Sequence, residues 1–142
     1  MIFWEKQKTI TALYERVTKP ICDKYNLTQM EYDILMFLHN NPQYKTAADI
    51  IKVRKLTKSH VSLSLKSLEE KKLICRSFAN GNKKNILISP TTDAIVIIAD
   101  GEQVQRDFGH TLFQGFTEEE FKLCKEFFVR MCDNAEKEIE EH

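Results

Sequence analysis

The chain has 142 residues, 42% of them hydrophobic and 30% charged, and its 21 basic and 21 acidic side chains give a formal net charge of zero. That composition suits one compact, largely helical unit, or a small domain with the helices that oligomerise it. No apolar run reaches the roughly 18 residues that would suggest a membrane span, and the opening Met-Ile-Phe-Trp-Glu-Lys lacks the basic-then-apolar layout of a signal peptide, so a cytoplasmic location is expected.

In chain order, residues 2 to 24 place Phe3, Ile10, Leu13, Val17 and Ile21 on one side of a helix, with Pro20 expected to bend its last turns. Thr28, with Glu31 three residues on, has the capping-box pattern and opens a second helix. Tyr32, Leu35, Met36 and Leu38 carry it to Asn40-Asn41-Pro42. A third, short helix is expected over residues 46 to 53, with Ala47, Ile50 and Ile51 at helical spacing. The turn Arg54-Lys55-Leu56 leads to Thr57, which caps a fourth helix over residues 58 to 72. Val61, Leu65 and Leu68 form that helix's apolar stripe; Lys58, Ser59, Ser62 and Lys66 lie on its other face. Residues 73 to 78 read as a strand, 79 to 82 as a hairpin turn and 85 to 89 as the return strand. After Pro90 a long helix carries Ile95, Ile98, Phe108 and Leu112, with Gly101 and Gly109 as points that loosen it. Thr117 and Glu120 form another capping box, and the helix it opens has Phe121, Cys124, Phe128, Met131, Ala135 and Ile139 at spacings of three and four.

The expected fold is therefore mainly α with a small β-hairpin wing: a winged helix-turn-helix over residues 28–90, flanked by helical segments 1–27 and 91–142. Charge follows this division. Residues 45 to 90 hold 11 Lys or Arg against 3 Asp or Glu, residues 91 to 142 hold 5 against 13, and the first 44 hold 5 of each. A basic module of this kind steers toward phosphate despite overall neutrality, so double-stranded DNA is the expected partner. The exposed early turns of helix 58–72 supply Lys58, Ser59, His60 and Ser62 for base edges and nearby phosphates, next to the capping Thr57. Arg54, Lys55, Lys66, Arg76, Lys83 and Lys84 are read as phosphate contacts. The terminal helices carry more aromatic surface than the winged helix can cover. Phe3, Trp4, Phe113, Phe116, Phe121 and Phe128 accordingly point to a homodimer interface, with two recognition helices presented to one face of DNA.

The segment from Pro20 to Leu35, PICDKYNLTQMEYDIL, resembles the join between the first two helices of MarR-family transcription regulators, and Leu68-Glu-Glu-Lys-Lys-Leu-Ile74 is similar to that family's close of the recognition helix, with Lys72 where a glycine is common. The resemblance spans nearly the whole chain. It implies a homodimer of winged helices whose recognition helix, residues 57 to 71, enters the major groove of a palindromic operator while the wing, residues 76 to 88, reaches the minor groove. It also implies repression of target genes and control by a small, often aromatic effector, for which Tyr14, Tyr32, Met36, His39 and Phe108 are the candidate neighbours. The chain departs from the pattern in the wing, where Asn80 and Asn82 replace an aspartate and an arginine, and on the recognition helix, where outward-facing Leu63 replaces a polar residue.

Two alternatives stay open from the sequence: a winged helix that binds an acidic protein partner, and a thiol-sensing regulator acting through Cys22. Cys124 and Cys132 are expected to be buried small hydrophobes. The family's peroxide sensors carry a cysteine just before a Leu-Tyr pair; here Ile10 occupies that place before Leu13-Tyr14. His39, His60, His110 and His142 are scattered with no zinc spacing, and there is no phosphate loop, nucleophile elbow or carboxylate pair. No metal, cofactor or catalytic activity is expected.

Overall fold

The structure is a computed structural model that describes residues 2 to 79 and 82 to 141, without the side chains of 79 to 85. Helices α1 (Ile2–Tyr25), α2 (Gln29–Asn40), α3 (Ala47–Arg54) and α4 (Lys58–Glu70) precede strands β1 (Ile74–Ala79) and β2 (Asn82–Pro90). A 3-10 turn (Thr92–Ala94) leads into α5 (Ile95–Leu112), and α6 (Glu118–Glu141) closes the chain. The fold is mainly α with one antiparallel hairpin, as the sequence leads one to expect. Helix α1 runs on through Pro20 without ending. The chain forms two compact units, Met1–Arg106 and Asp107–His142.

Three helix ends in the first unit share one device. Asn26, Lys55 and Lys72 follow α1, α3 and α4 in the left-handed region, at φ 55°, 56° and 64°. Each is followed by a leucine whose N–H returns to the carbonyl five residues back: Leu27 to Cys22 (2.8 Å), Leu56 to Ile51 (3.1 Å) and Leu73 to Leu68 (3.0 Å). This is the Schellman arrangement, with the leucine as its apolar stop. The threonines after two of these leucines then cap the next helix: the Thr28 hydroxyl accepts the Glu31 N–H, and that of Thr57 accepts the His60 N–H. Stop, leucine and cap thus fit into three consecutive residues, which is why α1–α2 and α3–α4 are joined so tightly. Thr46 caps α3, and Asp49 returns the bond to its backbone. The helix therefore begins one residue later than its apolar spacing suggests.

The core of the first unit is built around α2. Tyr32, Ile34 and Leu35 are fully buried, with Met36, Phe37 and Leu38 nearly so. Against it pack Ile50 of α3, the α4 stripe of Val61, Leu65 and Leu68, the hairpin residues Ile74 and Ile88, and Ile97 and Ile98 of α5. The hairpin pairs Ile74 with Pro90 through Phe78 with Ile86, and the Ile88 N–H reaches the Lys45 carbonyl at 2.7 Å, tying the wing to the segment before α3. Gly101 does not loosen α5. It is buried, and a Cβ there would stand 2.6 Å from the Met36 sulfur and 3.0 Å from the Tyr32 hydroxyl, so glycine is what lets α5 lie against α2. That Tyr32 hydroxyl is buried with no hydrogen-bond partner among the described residues, and burial first, then the nearby Asp33 and Cys22 charges, push its pKa up to about 12.

In the second unit the turn into α6 is held by the capping box of Thr117 and Glu120 and by Phe113, whose ring meets those of Phe116 and Phe121 edge-on at 5.2 and 4.6 Å. No residue of α6 is buried. Cys124 and Cys132 are exposed on it, against the expectation that they are buried small hydrophobes. An apolar stripe at helical spacing gives cysteines an apolar neighbourhood only where something lies over the stripe.

Candidate nucleic-acid interface

Burial along α4 separates its two faces cleanly. Val61, Ser64, Leu65 and Leu68 point into the core, while Lys58, Ser59, His60, Ser62, Leu63 and Lys66 are exposed. Serines at 59 and 62 keep the outward face low, so backbone and side chain can come close to a flat surface. Lys58 and Lys66 sit two turns apart on it, about 12 Å along the axis at 1.5 Å per residue, and have no acidic partner among the described residues. Leu63 stands among them 68% exposed, a large apolar side chain on a polar face.

The neighbouring cations are held more firmly than their types suggest. Arg54 lies 3.6 Å from Asp33, a carboxylate that also accepts the Tyr14 hydroxyl at 2.6 Å and the Gln29 amide at 3.0 Å. Arg76, exposed on β1, lies 3.4 Å from Glu69 at the end of α4. Lys55 occupies the left-handed stop between α3 and α4, and Thr57 spends its hydroxyl on the helix cap. The structure thus brings Arg54, Lys55, Thr57, Lys58, Ser59, His60, Ser62, Lys66 and Arg76 to one helix-turn-helix and the base of its hairpin. Asn80 and the side chains of Asn82, Lys83 and Lys84 lie outside the described residues. Phe78, 52% exposed near the end of β1, is an apolar wing residue that sequence reasoning did not single out.

The effector candidates lie on α1, α2 and α5. Tyr32 and Met36 are core side chains. Tyr14 is bonded to Asp33, and its ionisation is suppressed by burial first and by that bond second. His39 pairs with Glu102 of α5. Phe108 belongs to the second unit and is half-buried. These residues line neither of two clefts in the first unit, one of about 340 Å³ past Tyr25, Lys71, Asp93 and Ile97 and another of about 430 Å³ past Lys19, Cys22 and Gln29. Cys22 is buried and its thiol pKa is raised, chiefly by burial, which disfavours the reactive thiolate. The six aromatic interface candidates are open: Phe3, Trp4, Phe116, Phe121 and Phe128 are exposed and Phe113 is half-buried. Among the described residues no His, Cys, Asp and Glu cluster is suited to a metal ion, and no helix is long and apolar enough to cross a membrane.

Residues 25–83, from the end of α1 through α4 into the hairpin, match the sequence model of the MarR family. Over that segment the chain is similar to MarR-family regulators. MarR-family folds solved elsewhere superimpose on it over almost their full length. MepR of S. aureus in complex with DNA is 22% identical with a TM-score of 0.78, covering 95% of this chain and 96% of that one. A putative MarR-family regulator from Listeria monocytogenes, complexed with a 26mer DNA, is 19% identical with a TM-score of 0.84, covering 95% and 89%. The regulator SlyA is 19% identical with a TM-score of 0.82, covering 97% and 96%. No curated protein sequence matches the chain. Within the MarR family the glycine common at position 72 has a plain reason here: Lys72 adopts φ 64°, a conformation that glycine reaches without strain.

Proposed function

We propose that this chain is a MarR-family homodimeric transcription repressor that reads a palindromic DNA operator, with α4 in the major groove and the wing over residues 76 to 88 in the minor groove. The observation that carries the reading is the outward face of α4, where Lys58, Ser59, Ser62 and Lys66 are exposed together. Small hydroxyls and cations are what base edges and phosphates accept. Two MarR-family structures of similar fold were solved on DNA. The exposed aromatic side chains of α1 and α6 support a dimer, and a small aromatic effector is the proposed regulator.

The test is binding of the purified protein to the DNA upstream of its own coding region, against an unrelated duplex of equal length, at two salt concentrations. Selective binding that falls steeply with salt is expected, and Lys66→Ala should weaken both duplexes alike and lower the salt slope by about one. Equal, weak binding to both duplexes would sink the repressor reading. The exposure of Leu63 favours a second one, a winged helix that docks on an acidic protein; there Leu63→Ala would leave DNA selection untouched. On DNA, Leu63 meets a thymine methyl, and the same substitution relaxes selection at one base pair.

A further inference from the structure

We infer that Glu31, far from the exposed face of α4, is a positioning residue for DNA reading: its carboxylate fixes where the recognition helix sits by holding that helix's last turn. The inference rests on the DNA-reading assignment above. Glu31 is 2% exposed, and every polar contact of its carboxylate is directional. One oxygen accepts the Thr28 N–H at 2.9 Å and closes the cap of α2. The other accepts the Ser67 hydroxyl at 2.6 Å. The Lys71 ammonium donates to the two oxygens at 3.2 and 3.0 Å, and to the Asn26 carbonyl at 2.6 Å. The three N–H donors of Lys71 are thereby matched by three acceptors. One carboxylate and one ammonium join the α1–α2 turn, the start of α2 and the end of α4.

Apart from the Glu69–Arg76 ion pair, the rest of the α4 docking among the described residues lacks this directionality. Val61, Leu65 and Leu68 bury an apolar stripe, and apolar contact is strong but lets a helix slide or roll by fractions of an ångström at little cost. Base readout does not tolerate that, because hydrogen bonds weaken steeply with misalignment. Charge-assisted bonds at the end of the helix supply the missing register. Burial by itself raises the Glu31 pKa, but the Ser67, Thr28 and Lys71 bonds outweigh it and hold the carboxyl below its ordinary range. The ionised form is therefore the one present at neutral pH. Because a depressed carboxyl pKa contributes its full stabilisation above the unfolded value, the lock weakens as pH falls from there through the folded one.

Two substitutions separate register from folding. Glu31→Gln keeps the capping box, which accepts Gln as well as Glu, and removes the charge facing Lys71. Ser67→Ala removes one bond while improving helix propensity, so it keeps α4 helical by construction. Each would be measured for affinity toward a duplex selected from a randomised library by the wild-type protein, and toward an unrelated duplex of equal length. Amide exchange over residues 67 to 73 would be followed in the free protein at a temperature where all variants are folded. Glu31→Gln is expected to cut discrimination between the duplexes roughly tenfold, the scale of one charged hydrogen bond, with unrelated-duplex binding unchanged and faster exchange in the last turn of α4. Ser67→Ala should do the same several-fold less. Discrimination and exchange unchanged in both variants would overturn the role of Glu31 and leave the DNA-reading assignment standing. A wild-type protein for which no duplex is enriched would overturn that assignment, and this inference with it.

Discussion

Helices α2 and α6 both carry large apolar side chains, and those side chains meet opposite fates. In α2 the run from Ile34 to Leu38 is buried on every side, and even the cap residue Glu31 is inside. In α6, twice as long, Phe128, Val129, Met131 and Ile139 lie open and no residue is buried. A helix apolar all round belongs at the centre of a core, whereas one with a single stripe needs something to cover that stripe. The contrast teaches that burial is set by what the chain places opposite a residue. The first unit completes its own core. The second leaves Phe121, Phe128 and Met131 on a face that a second copy, related by two-fold symmetry, is proposed to cover.

The largest expected effect comes from breaking that face. In a two-fold interface each substitution acts twice, and burying a Phe is worth roughly 1.5–3 kcal/mol. Phe128→Asp should therefore cost about 3–6 kcal/mol of association, raising the dimer dissociation constant roughly 10²- to 10⁴-fold. Sedimentation velocity over a concentration series reads this directly. A wild-type chain that sediments as a monomer at every concentration would break the comparison itself.

A matched pair of truncations sharpens it from the other side. Leu35 is fully buried and Leu123 is 38% exposed. Leu35→Ala should cost about 2–5 kcal/mol in urea unfolding. Leu123→Ala should change stability by no more than about 0.5 kcal/mol at concentrations where the chain is monomeric. Equal costs would mean that α6 has a core of its own. Between these extremes lies Gly101, where an added methyl must displace Met36 and Tyr32. Gly101→Ala is expected to destabilise by about 1–3 kcal/mol, the usual cost of overpacking; a neutral result would show that the flexible Met36 side chain moves aside.

Much of this was legible in the sequence because it is local. The stripe of Val61, Leu65 and Leu68, the Thr28–Glu31 box and the cap at Thr57 each depend on residues within a turn or two of one another. Other features were not legible for the opposite reason. The capping role of Glu31 spans three residues, but its bonds to Ser67 and Lys71 span 36 and 40 and exist only once α4 has docked. Gly101 reads as a weak point in a helix until Met36 is seen against it. Cys124 and Cys132 share the spacing of a buried stripe, and spacing does not say whether the cover lies in the same chain. Two signals were present and went unused: Thr46 and Asp49 have capping-box spacing, and Leu56-Thr57 repeats Leu27-Thr28 after a left-handed residue.

The smallest effect tests those left-handed stops. An L-residue other than glycine or asparagine in this conformation carries about 1–2 kcal/mol of strain. Replacing it with glycine removes the strain and returns part of the gain as extra freedom in the unfolded chain. Lys72 is exposed, and it contributes its backbone carbonyl to the Thr91 hydroxyl at 2.7 Å, a bond that glycine keeps. Lys72→Gly should therefore stabilise by about 1 kcal/mol, or roughly 3 °C in Tm for a chain of this size, with an unchanged urea m-value. Asn26→Gly should gain less, because asparagine already tolerates the conformation. Lys55→Gly separates backbone from side chain: it relieves the same strain but deletes a proposed phosphate contact. It should raise Tm while lowering DNA affinity, whereas Lys72→Gly raises Tm and leaves affinity unchanged. Loss of affinity in both variants would place Lys72 on the DNA as well, and widen the interface beyond the face of α4.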